Sequence, residues 1–76
     1  MANHLTQWKP QVTINNQTTV FSNYAEVKKN MRFLLQRSNI HEVYVSRSRR
    51  GCWGEWFEYW GFDHSHKPII KKQGWL

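Results

Sequence analysis

Three arginines and three tryptophans fall between Arg47 and Trp60, in the run Arg47, Arg49, Arg50, Trp53, Trp56 and Trp60. A guanidinium pairs with phosphate through two parallel N–H donors, and an indole face stacks on a base. Arginine at the tip of a β-ribbon also matches the acceptor pair on a guanine edge in the major groove. Arg47, Arg49, Arg50, Trp53 and Trp56 are therefore the candidate nucleic-acid-binding residues, with Lys28, Lys29 and Arg32 as a second set for phosphates. A single-strand reader would show its rings on a sheet face, whereas a duplex reader would use the arginine tip and the basic helix face. The competing structural reading makes the tryptophans core and the arginines a solvated hairpin end stacked on Trp53, because so short a chain needs its aromatics for its own interior.

Other chemistry is thinner. Asp63-His64-Ser65-His66, with Cys52 and His41 elsewhere, offers metal-ligating types but lacks the paired Cys-x-x-Cys of a structural zinc site, so no metal site and no cofactor is assigned. The two loop histidines beside Asp63 and Lys67 suit a modest pH response better. Cys52 lacks the surroundings of a catalytic thiol, and Gly51-Cys52-Trp53-Gly54 lacks the Lys-Ser/Thr of a phosphate loop. Glu55 and Glu58 lie three apart on a predicted strand and so face opposite sides, which excludes a glycosidase-type carboxylate pair. The chain reads as non-enzymatic.

Eleven Lys and Arg against five acidic residues give a formal charge of +6, which favours nucleic acid, anionic lipid or an acidic protein as partner, and the arginine and tryptophan run makes nucleic acid, DNA or RNA, the leading expectation. The alternative partner is a protein, in a small inhibitor or accessory module of phage type, since Trp and Arg also dominate protein interfaces. An exposed strand edge would allow homodimerisation or strand addition. With Cys52 alone no intrachain disulfide forms, and a reducing, cytoplasmic location is expected. Met1–Thr6 has neither a basic nor an apolar signal-like region and the apolar runs are short, so neither a signal peptide nor a membrane partner is expected.

The elements that would position these residues follow from periodicity. His41, Val43, Val45, Arg47 and Arg49 alternate with Glu42, Tyr44, Ser46 and Ser48, a break follows at 50–54, and 55–62 puts large rings on both faces; together these predict a hairpin. An earlier, shorter hairpin is expected around Asn15-Asn16-Gln17, because Asn tolerates the left-handed region. Between them, Asn23 and Glu26 have capping-box spacing, and Tyr24, Val27, Met31, Leu34 and Leu35 form one stripe through Arg37, which predicts a single helix capped by a left-handed Asn39. Phe33 falls outside the stripe. Asp63–Pro68 reads as a loop, Ile69-Ile70 as the start of a last short strand, and Trp75-Leu76 as a docking tail. The expected fold is a small single α+β domain over 11–76 after a lead-in of 1–10. It has an antiparallel sheet of three to five strands on one α-helix, in ββαββ order.

Overall fold

A computed structural model of the protein describes residues 9–48 and 55–76. The lead-in assigned to 1–10 lies outside the described residues as far as position 8, as does the turn at 50–54. Pro10 is already buried, and its carbonyl accepts the Phe21 N–H at 2.9 Å.

The strands are β1 (Gln11–Ile14), β2 (Gln17–Val20), β3 (Val43–Ser48), β4 (Glu55–Phe62) and β5 (Pro68–Trp75), joined in one antiparallel sheet of order β2-β1-β3-β4-β5. Asn15 and Asn16 both take positive φ, 51° and 68°, which lets Ile14 face Gln17 across a two-residue connection. That twist matches the twist of the strands it joins. On the far side of this hairpin the Thr13 and Thr18 hydroxyls meet at 3.0 Å.

The single expected helix is two short ones, α1 (Tyr24–Lys29) and α2 (Met31–Arg37). Asn23 caps α1, its side-chain oxygen accepting the Glu26 N–H at 2.9 Å. The interruption has a local cause at Asn30. Its backbone N–H donates to the Glu26 carbonyl at 3.2 Å while its own side-chain amide donates to the same carbonyl at 2.8 Å. A side chain that competes for the i−4 carbonyl bends a helix at that turn. The Asn30 carbonyl still accepts from Leu34, so the two pieces continue one path. Asn39 is not the left-handed cap. Ser38 ends α2 with an extended backbone, and the positive φ falls on His41, which also delays β3 until Val43.

The predicted stripe is the core-facing one. Val27, Met31, Leu34 and Leu35 meet Val12, Val43, Val45 and Trp60, with Ile14, Phe21, Tyr24, Phe62 and Ile70 packed around them. The result is a small compact single domain with two short helices against one face of a five-stranded sheet. The expected docking tail docks on the body, as the end of a strand longer than the sequence predicts. β5 runs through Trp75 and extends its pairing with a Leu76 N–H to Glu55 carbonyl bond of 2.8 Å. Pro68 opens this edge strand, where its missing donor costs nothing. A register shift at Tyr59/Trp60 leaves Lys71 without a partner in β4.

Candidate nucleic-acid interface

Strand alternation divides β3, β4 and β5 between two faces, and the register sets which side chains meet. Towards the helices point Val45 opposite Glu58, Arg47 opposite Trp56, and Trp56 opposite Trp75. Away from them point Tyr44 opposite Tyr59, Ser46 opposite Phe57, and Tyr59 opposite Lys72.

Glu58 organises the helix-side group. It is 3% exposed, yet a carboxylate has lone pairs for several donors, and here it receives three. The Trp56 Nε1–H donates to Oε2 at 2.9 Å, the Trp60 Nε1–H to Oε1 at 2.8 Å, and the Tyr24 hydroxyl reaches both oxygens at 2.8 Å. Charge-assisted bonds of this kind make burial of an ionised group tolerable. Burial, reinforced by the hydrogen bond to Glu58 and the carboxylate's charge, pushes the Tyr24 phenol well above its ordinary value, with Arg47 opposing. Tyr24 therefore stays a donor throughout the neutral range.

The Tyr24 ring, fixed by that bond, is a platform for cations. The Arg47 guanidinium lies 4.4 Å from its centroid and the Lys28 ammonium 5.9 Å. Trp75, 53% exposed, sets its ring edge to face against Trp56 at 5.2 Å, 72° between planes. Leu76, 70% exposed, follows it.

Of the residues proposed from sequence, Arg47, Lys28 and Trp56 thus come together around Tyr24 and Glu58. Lys29 and Arg32 lie exposed on the same helical layer. Arg49, Arg50 and Trp53 lie outside the described residues. Trp56 is half-buried with its N–H committed, and Trp60 belongs to the core, so among the described tryptophans the one presented to solvent is Trp75. Three contributors were not picked out from sequence. Tyr24 was only one residue of the stripe, Trp75 looked like a tail, and Glu58 was only half of a rejected carboxylate pair. A usable signal existed for Glu58: an acid at a core-facing strand position with a tryptophan two residues to either side.

The opposite sheet face has its own aromatic group. Tyr44 lies 4.9 Å from Tyr59 and 6.3 Å from Phe57, and Phe57 lies 5.8 Å from Tyr59. Burial, then the charges of Glu55 and Tyr59, raises the Tyr44 phenol above its ordinary value. In the loop after β4, the Asp63 carboxylate accepts the Ser65 and Lys67 N–H groups at 2.8 Å each, so it holds the turn. Phe62 is stacked by His66 at 4.1 Å and met at its edge by His41 at 5.8 Å. Among the described residues no three His, Cys, Asp or Glu are grouped to hold an ion, and no helix is long and apolar enough to cross a membrane. Comparison with protein-family models, curated proteins and solved structures gives no match to this chain.

Proposed function

We propose that this protein is a non-enzymatic nucleic-acid-binding module whose contact surface is the helix side of the β3–β4 hairpin. Arg47, Lys28, Lys29 and Arg32 take phosphates, and Trp75, set against Trp56, offers a ring for stacking. The observation that carries this reading is the convergence of Arg47 and Lys28 on one tyrosine ring beside an exposed tryptophan. A guanidinium held over a ring can keep its edge donors free for phosphate, and a side chain already positioned loses little further entropy on binding.

Lys28, Lys29 and Arg32 are exposed, so removing them should leave the fold intact. The triple variant Lys28→Ala, Lys29→Ala, Arg32→Ala should bind more weakly, with a shallower salt dependence by about 0.9 in log–log slope per lost phosphate contact. An unchanged slope in the folded variant would remove the helix face from the site. A protein partner is the second reading, favoured by the exposure of Trp75 and Leu76. An interface anchored on those two side chains would respond little to salt.

A further inference from the structure

The sheet face turned away from the helices does not have the polar composition of a solvated face. An antiparallel sheet with one wet side alternates apolar and polar residues. Here the outer positions hold Tyr44, Phe57 and Tyr59 in mutual contact, with Ile69 and Val20 towards the two edges. Tyr59 is 40% exposed, Ile69 38% and Val20 58%, whereas Phe57 and Ser46 on the same face are closed off at 9% and 5%, so the accessible part is the Tyr59 ring and the two edges. Its charge differs from that of the rest of the molecule. Glu55 continues the Phe57–Tyr59 alternation, and Glu42 lines a shallow groove with Tyr44 and Tyr59. Lys72 stands opposite Tyr59, and Lys71 lies across Gly61, where a Cβ would come within 2.8 Å of its side chain. Among the described residues of this face two acids and two lysines balance, in a chain whose formal charge is +6.

We infer that this face is the contact surface for a second copy of the chain, the two sheets packing outer face to outer face as a two-fold dimer. A polyanion gains nothing from a balanced surface, whereas two strongly basic copies can approach only where their charge cancels. A face holding both signs is also self-complementary, as an isologous interface must be, because each acid on one copy can be set over a lysine on the other. Strand spacing of about 4.8 Å and a rise of about 3.4 Å per residue make the five-stranded face about 500 Å² in projection. Two such faces bury about 1,000 Å² in total, the size of a small, weak interface rather than a standard one, with the packed sheets about 10 Å apart. Both helical layers then face outwards. The inference does not rest on the nucleic-acid reading.

Sedimentation equilibrium on the full chain over about 1–100 μM, without nucleic acid, tests it. The mass should rise from 9.3 kDa towards twice that value. Tyr59→Lys should hold it at the monomer value while the circular dichroism spectrum stays that of the wild type. If Tyr59→Lys does not fold, Ile69→Lys at the edge of the same face decides. A wild-type protein that stays monomeric throughout, or a folded variant that dimerises as the wild type does, overturns the proposal.

Discussion

Glu58 is the residue on which the helix-side group depends, because three donors from two elements end on one carboxylate. Glu58→Ala would leave two indole N–H groups and a phenol without their acceptor, the Trp60 N–H fully buried and the other two part-buried. At about 1–3 kcal/mol for each donor left unsatisfied, two of them only part-buried, the expected cost is about 3–5 kcal/mol, a large share of the stability of so small a domain. Glu58→Gln keeps one acceptor oxygen and should cost about 1–3 kcal/mol. Urea denaturation of both variants checks this, and an alanine variant within about 1 kcal/mol of wild type would contradict the account. Tyr24 makes a separate prediction. Its folded pKa lies above the ordinary value near 10, so its contribution is complete below that pH and is lost as pH rises through the folded value. Stability should therefore fall on the alkaline side of about pH 10. Tyr24→Phe should be less stable at neutral pH, having lost a bond to Glu58, and should show a smaller alkaline decline. Equal alkaline slopes in the two proteins would show that the Tyr24 phenol does not bear the strain.

At the scale of elements, the Asn15-Asn16 turn separates two roles that the sequence does not distinguish. Both residues are left-handed, but only Asn15 reaches beyond the turn, its side-chain oxygen accepting the Asn39 N–H at 3.3 Å and its amide meeting the Arg37 carbonyl at 3.5 Å. Asn16→Gly should leave stability unchanged or raise it by about 0.5 kcal/mol, since Asn-Gly suits this turn best. Asn15→Gly should lower it by about 1 kcal/mol through the lost tie to the end of α2. Thermal melts that rank the two variants in the reverse order would refute the division. The turn, the Asn23 cap, the helical stripe and β4 were legible because each is set by neighbours in sequence. The break at Asn30 was not, because its cause is one side chain choosing its own i−4 carbonyl, a choice that spacing does not encode. The length of β5 was equally hidden. Lys71-Lys72-Gln73-Gly74 is poor strand sequence, and its pairing comes from lying beside β4, with Gly74 opposite Phe57, where an added Cβ would stand 3.5 Å from the ring.

For the whole molecule, the sheet separates charge. The cations of α1, α2 and Arg47 lie on the helical side and outnumber its acids, Glu58 being buried and already bonded and Glu26 exposed at the start of α1, while among the described residues acids and lysines balance on the other side. The sequence carried the sign and size of the charge but not its division, which depends on register. Alternation alone put Arg47 and Trp56 on strands, but only the β3–β4 pairing sets them opposite each other and only the helix packing brings Tyr24 and Lys28 to them. The account predicts a protein whose basic side takes polyanions while its aromatic outer face takes a copy of itself. Its central claim is the first of these, and fluorescence anisotropy of labelled single-stranded DNA, duplex DNA and RNA over about 50–200 mM salt tests it most directly. The predicted result is binding to at least one of the three at low salt that weakens steeply as salt rises, in proportion to the phosphates neutralised. Absence of binding to all three at the lowest salt would contradict it.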